Sequence, residues 1–319
     1  MSLLDATIIG AGSWGRSLAH ILLNNNKKIL IYSRNKIQLD ISYSADNIIK
    51  TNNFNDVCSN QNPIIIATPV NSLREIGEML NKGNFNGPII LACKGLESST
   101  GLFPSEILAN YFLIDKIAVI TGPSFASEVI KNKPTAVTIA GIKDDVINTF
   151  SRLFHSKLFR VYESNDLIGC QLGGAMKNIL SVAVGISDGL QLGPNAKAAL
   201  ISRGIYEIKI LSEKLNCDDK TIYGLSGLGD LVLTANDNLS RNRRFGIEVS
   251  QGVSIDEAEK KIGYIVEGIS AAKGLQILIK KYSLILPICT KVFDIIDGKI
   301  SPKEAVNDLL SRDQKKEFV

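Results

Sequence analysis

The chain has 319 residues, of which 45% are hydrophobic and 21% charged, and a net charge of +4. That length carries two domains with buried cores, while so small a positive charge argues against a nucleic-acid partner and suits small anionic ligands. Cys58, Cys93, Cys170, Cys217 and Cys289 form no C-x-x-C pair, and His20 and His155 are the only histidines, so no disulfide framework, metal site or Ser-His-Asp triad is expected.

The first half alternates short β-like runs with helix-like stretches. The predicted strands are ATIIG (6–10), KILIYS (28–33), PIIIATP (63–69), PIILACKG (88–95), IAVITG (117–122), TAVTIAG (135–141) and LFRVYES (158–164). Amphipathic stretches at 72–81 and 144–154 separate some of them. This alternation predicts an α/β fold with an N-terminal, Rossmann-type doubly wound sheet. The runs IIIAT and IILAC are apolar throughout, as strands covered on both faces should be. Whether the last strands pair parallel or antiparallel stays open. From about residue 165 strand candidates nearly vanish, and helices are predicted at 166–187, 194–215, 255–262, 268–281, 288–297 and 302–310. The expected organisation is therefore a dinucleotide-binding domain, 1–164, followed by an all-helical C-terminal domain, 165–319, for substrate and catalysis. MSLLDATIIGAG lacks a basic stretch before its apolar residues, so no signal peptide is expected. No apolar run is judged long enough to span a membrane, and a cytoplasmic protein is expected.

Gly10-Ala-Gly12-Ser-Trp-Gly15 follows the first strand and opens a helix. The first glycine permits a tight turn, the second lets backbone approach a pyrophosphate, and the third lets helix pack on strand. The free N–H groups of the helix N-terminus favour an anion. NAD recognition would place an acid at the end of the second strand. The residues there are Tyr32-Ser33-Arg34-Asn35, and an arginine can accommodate the 2′-phosphate of NADP.

Ligands of open α/β sheets bind beyond the carboxyl ends of the strands. Ala67-Thr68-Pro69, Cys93-Lys94-Gly95 and Gly122-Pro123-Ser124-Phe125-Ala126 stand at three such ends. In the helical half, Lys177 lies within the small and apolar stretch QLGGAMKNILSVAVGISDG. An unpaired ammonium is costly to bury, so this lysine either reaches water or has a task such as proton transfer. Asp230 and Thr234 stand one helical turn apart after a glycine break, and Ser240-Arg241-Asn242-Arg243-Arg244 follow. Arginine with Ser and Asn suits a phosphate. Arg243 and Arg244 read as a solvated basic face, and the histidines as packing or surface residues.

Seven stretches in this order, GAGSWG (10–15), CKG (93–95), GPSFA (122–126), GCQLGGAMKN (169–178), GLGDLVLT (227–234), SRNRRFG (240–246) and IVEG (265–268), make the chain resemble the bacterial NAD(P)-dependent glycerol-3-phosphate dehydrogenases. The resemblance spans nearly the whole chain. It implies interconversion of dihydroxyacetone phosphate and sn-glycerol 3-phosphate with NADH or NADPH, in the service of phospholipid synthesis. It also implies catalytic roles for Lys177, Lys94 and Asp230. Cofactor contacts would come from Gly10, Gly12, Ser13, Trp14, Gly15, Arg34, Lys94, Ala126, Arg241, Ile265 and Glu267. Substrate contacts would come from Lys94, Gly122, Ser124, Lys177, Asn178, Asp230, Thr234, Ser240, Arg241 and Asn242. On this reading Lys177 faces a crevice, with Asp230 and Lys94 tuning it. A homodimer is expected. Two alternatives stay open: a β-hydroxyacid or ketopantoate reductase of similar build, and a nicotinamide-sensing protein without turnover.

Overall fold

The computed structural model describes residues 4–35, 47–263, 265–314 and 316–317. Its first half is an eight-stranded sheet: β1 (Ala6–Ile9), β2 (Ile29–Tyr32), β3 (Ile48–Thr51), β4 (Ile64–Ile66), β5 (Ile89–Leu91), β6 (Ile117–Thr121), β7 (Thr135–Gly141) and β8 (Phe159–Ser164). The spatial order is β3-β2-β1-β4-β5-β6-β7-β8. Pairing is parallel from β3 across to β6, antiparallel between β6 and β7, and parallel again between β7 and β8. The question left open about the last strands thus resolves to one antiparallel step. The strands expected from the sequence are present, and β3 is an additional one. Its IIKT segment is half-buried at the sheet edge, so it lacks the apolar run that marks β4 and β5, which are buried along their whole length.

The helices with the sheet are α1 (Ser13–Asn24), α2 (Phe54–Cys58), α3 (Leu73–Lys82), α4 (Pro104–Leu108), α5 (Ala126–Val129) and α6 (Asp144–Phe154). The helical half contributes α7 (Leu167–Gly189), α8 (Gly193–Lys214), α9 (Asp219–Tyr223), α10 (Asp230–Asn236), α11 (Arg241–Ser250), α12 (Ile255–Ile262), α13 (Glu267–Tyr282), α14 (Pro287–Ile296) and α15 (Pro302–Leu310). Within it, α7 is the central rod. It is long and apolar enough to cross a membrane by length and composition, which corrects the expectation that no run reaches that length. Yet 94% of its apolar window is buried inside the protein, and it carries Lys177, so it serves as a core helix. Neighbours approach α7 closely at glycines. A Cβ on Gly185 would lie 2.0 Å from the Arg243 carbonyl oxygen, and one on Gly246 would lie 2.3 Å from that of Val182. Any larger residue at the α7–α11 crossing would force the backbones apart.

The two halves share side chains. Leu96 and Phe103, on the loop after β5, belong to the helical core, whereas Leu167 and Cys170 of α7 belong to the sheet core. Burial of a side chain such as Phe103 contributes about 2 kcal/mol. The loop that begins at Lys94 is thereby anchored in both halves.

Candidate active site

Strand order reverses between β1 and β4, so the crevice of an open α/β sheet lies where their carboxyl ends diverge. The turn there is built from glycine. Gly10 has φ +110°, and a Cβ on it would meet the Ala67 carbonyl oxygen at 2.6 Å; a Cβ on Gly15 would fall 1.9 Å from the Gly10 oxygen. Around Gly12, in contrast, the space is open to at least 4 Å. No side chain caps the N-terminus of α1, and the buried indole N–H of Trp14 has no hydrogen-bond partner. An exposed, uncapped helix start with free space at its second glycine fits a dinucleotide pyrophosphate. Ser17 ties this helix to the Gly122–Ala126 segment by donating to the Ala126 carbonyl at 3.0 Å.

A second part of the cleft runs past Gly10, Tyr32, Ser33, Arg34, Thr68, Ser72 and Glu75. Arg34 there faces Glu75, with Nη1 and Oε2 3.6 Å apart. Sequence reading missed Glu75, because the acid stands in the first turn of α3 and not at a strand end.

The charged centre lies where β5, β6, α7 and α10 meet. Lys94 leaves the end of β5 and donates to Asp230 Oδ2 at 2.6 Å and to the Gly122 carbonyl at 2.9 Å. Lys177, from the middle of α7, donates to Asp230 Oδ1 at 2.8 Å and to Thr234 Oγ1 at 3.1 Å. Asp230 opens α10 directly after a π-helical turn, Leu225–Gly229. Thr234, one turn later, returns its hydroxyl to the Asp230 carbonyl at 2.7 Å. Two ammonium groups thus share one carboxylate in a site where Asp230 is 1% and Lys177 9% exposed. Lys177 is thus buried and held on the carboxylate of Asp230, the residue expected to tune it.

Burial pushes the Lys94 ammonium down to about 8, with the like charge of Lys177 adding to the effect and Asp230 opposing it. For Asp230 burial opposes ionisation, but the two lysines outweigh it and hold the carboxyl below its ordinary range. The excess positive charge of such a centre stabilises an oxyanion, and its ammonium protons are available for transfer.

Asn178 connects this centre to two further predicted residues. It donates to Glu267 at 3.2 Å and accepts from the Asn242 amide at 2.9 Å; Asn242 in turn accepts from the Gly268 N–H at 2.9 Å. Ser240 caps α11, accepting from the Arg243 N–H. Arg241 is exposed at the first position of that helix. Ser124 donates to the Gly122 carbonyl at 3.0 Å. Ile265 is half-exposed, at 50%, and Arg34 stands apart from the lysines in the cleft beside Glu75.

The reading of Arg243 as part of a solvated face is corrected. Its guanidinium is 11% exposed and lies 2.6 Å from Asp188, which Lys197 also reaches at 2.8 Å. Arg244 is exposed. Close packing of α11 on α7 draws Arg243 inward, which no local pattern reveals. Burial likewise pushes the thiols of Cys93 and Cys217 up to about 12 and that of Cys170 to about 11, which leaves them poor nucleophiles at neutral pH.

Comparison with known proteins places residues 5–146 and 166–307 against the NAD-dependent glycerol-3-phosphate dehydrogenase N-terminus and C-terminus, respectively. Glycerol-3-phosphate dehydrogenase [NAD(P)+] of Halorhodospira halophila is 38% identical over 325 residues, covering 98% of both chains. That of Bartonella tribocorum is 40% identical over 338 residues, covering both chains in full. The crystal structure of glycerol-3-phosphate dehydrogenase from Coxiella burnetii superposes with a TM-score of 0.91 at 33% identity, over 97% of this chain and 99% of that one.

Proposed function

The chain belongs to the NAD-dependent glycerol-3-phosphate dehydrogenase family, and we propose that Lys177, Asp230 and Lys94 carry its catalytic step. The activity is that of an NAD(P)-dependent glycerol-3-phosphate dehydrogenase, which interconverts dihydroxyacetone phosphate and sn-glycerol 3-phosphate. When bound, NAD(P)H supplies a hydride to the ketone carbon. The observation that carries the assignment of roles is the single carboxylate, Asp230, held between two lysines at 2.6 and 2.8 Å.

On this reading Lys177 directs its ammonium at the ketone oxygen, stabilises the negative charge that develops there and transfers a proton to it. Asp230 fixes the lysine through Oδ1. Thr234 orients the same ammonium. Lys94 stabilises negative charge from the opposite side and holds the Gly122–Ser124 turn beside the substrate. Arg241 receives the phosphate at the start of α11, with Ser240 and Asn242 shaping that turn. Gly10, Gly12, Ser13, Trp14 and Gly15 cradle the pyrophosphate. Ala126, Ile265 and Glu267 flank the cofactor, and Arg34 meets its adenosine end.

In this proposal residues 1–164 hold the cofactor and 165–319 the substrate, the enzyme works in the cytoplasm as a homodimer, and ketone reduction supplies glycerol 3-phosphate for phospholipids. The test is loss of reduced-nicotinamide absorbance when dihydroxyacetone phosphate is added, with wild type and Lys177→Ala in parallel. Turnover that survives in the variant at near wild-type kcat would remove Lys177 from the mechanism. Absence of turnover in folded wild type would return the sensor reading.

A further inference from the structure

The adenosine end of the cleft contains both charges that nicotinamide nucleotides can use, on two different elements. Arg34 comes from the end of β2, and Glu75 from the first turn of α3; their charged atoms stand 3.6 Å apart on the wall of one cleft. Both side chains are well exposed, 73% and 59%, and an exposed pair of this kind adds little to folding stability. The pair therefore does little for the fold, and it lies beside the proposed adenosine end of the cleft, where the two cofactors would differ.

We infer that Glu75 is a cofactor-specificity residue, which restrains the preference for NADP that Arg34 alone would create. This deepens the reading proposed above and rests on its placement of the adenosine end beside Arg34. The chemistry follows from what the 2′ position carries. A ribose 2′-hydroxyl is a donor and is recognised by a carboxylate, a task usually given to an acid at the end of the second strand. That acid is absent here, and Glu75 supplies a carboxylate from the neighbouring helix. A 2′-phosphate instead seeks the guanidinium. It must take Arg34 from Glu75 and then sit beside a second negative charge. At about 4 Å in a water-exposed site that repulsion amounts to a factor of about five in affinity. Glu75 thus favours the hydroxyl and disfavours the phosphate, and the enzyme accepts both nucleotides.

The experiment is equilibrium binding of NADH and NADPH, read by titration calorimetry without substrate, to wild type, Glu75→Gln and Arg34→Gln. Adenosine 5′-monophosphate and adenosine 2′,5′-bisphosphate serve as probes without nicotinamide. Glu75→Gln keeps an acceptor for the hydroxyl but removes the charge. It is expected to tighten NADPH and the bisphosphate about fivefold, with NADH and the monophosphate changed less than about twofold. Arg34→Gln is expected to weaken NADPH and the bisphosphate selectively. A ratio of NADPH to NADH affinity in Glu75→Gln within about twofold of wild type, or one moved toward NADH, would overturn the inference. A wild type that turns over and binds both nucleotides but shows that unchanged ratio in Glu75→Gln leaves the proposed function standing and removes only the role of Glu75. A wild type that binds neither nucleotide would overturn both.

Discussion

The Lys94 ammonium lies 2.6 Å from Asp230 Oδ2, and Lys177 occupies the other oxygen of the same carboxylate at 2.8 Å. A loop of the sheet domain and a helix of the helical half therefore meet through one buried anion, and three charged groups have to be considered together.

Asp230→Asn removes the carboxylate that the two lysines share. The amide preserves shape but leaves like charges facing each other in a buried site. A loss of about a hundredfold or more in kcat is expected, with a destabilisation of about 3 kcal/mol from the uncompensated ammonium groups. Steady-state rates and urea unfolding of the same preparation separate the two effects. A stable variant with wild-type turnover would refute the shared-carboxylate account.

Lys94, with its proton leaving near pH 8 instead of 10.5, sets a pH signature. The ammonium is present below that pH and lost above it, so kcat/KM for the ketone should fall about tenfold per unit above about pH 8. Stability moves the other way. The unfolded chain binds more protons than the folded one between about pH 8 and 10.5, so the contribution of Lys94 to stability rises across that window. Asp230, held below its ordinary range, adds stability that is present above about pH 4 and lost as acid protonates it. A pH–rate profile paired with unfolding midpoints tests both signs, and a flat profile to about pH 10 would contradict the assignment.

Gly12 and Gly15 separate binding from folding. Space is open around Gly12, whereas a Cβ on Gly15 would strike the Gly10 carbonyl. Gly12→Val is expected to melt within about 0.5 kcal/mol of wild type but to lose at least about tenfold in NADH affinity, because the side chain occupies the pyrophosphate path. Gly15→Val should unfold more easily by about 3 kcal/mol. Thermal melts and nucleotide titrations distinguish these outcomes.

Arg241→Ala tests the phosphate contact. Removal of one charge-assisted contact to phosphate costs about 2 kcal/mol, or roughly thirtyfold in KM for dihydroxyacetone phosphate. NADH affinity without substrate is the control for general damage. An unchanged KM would place the phosphate elsewhere.

Arg243 and Arg244 are neighbours with opposite expected effects. Arg243→Ala leaves Asp188 with Lys197 as its remaining cation and should cost about 2 kcal/mol. Arg244→Ala, at the exposed position, should stay within about 0.5 kcal/mol. Urea midpoints of the two variants decide the point.

By itself the sequence determined those features that nearest neighbours along the chain enforce. Gly10 and Gly15 specify a turn because only glycine leaves room there, and the apolar runs of β1, β4 and β5 specify strands covered on both faces. The long helices from α7 onward follow from their own periodicity. Edge strand β3 was illegible because a half-buried IIKT segment carries no periodic signal. The motifs shared with a known family grouped Lys94, Lys177 and Asp230, and what only the tertiary structure decided is how the charges pair. Asp230 is 53 residues from Lys177 and 136 from Lys94, Arg243 is 55 from Asp188, and Glu75 reaches Arg34 from another element. Local pattern encodes which face a helix buries, but electrostatic pairing is a matter of distance in space and exclusion of water. Those quantities exist only once α10 and α11 have packed on α7 and the Lys94 loop has entered both cores.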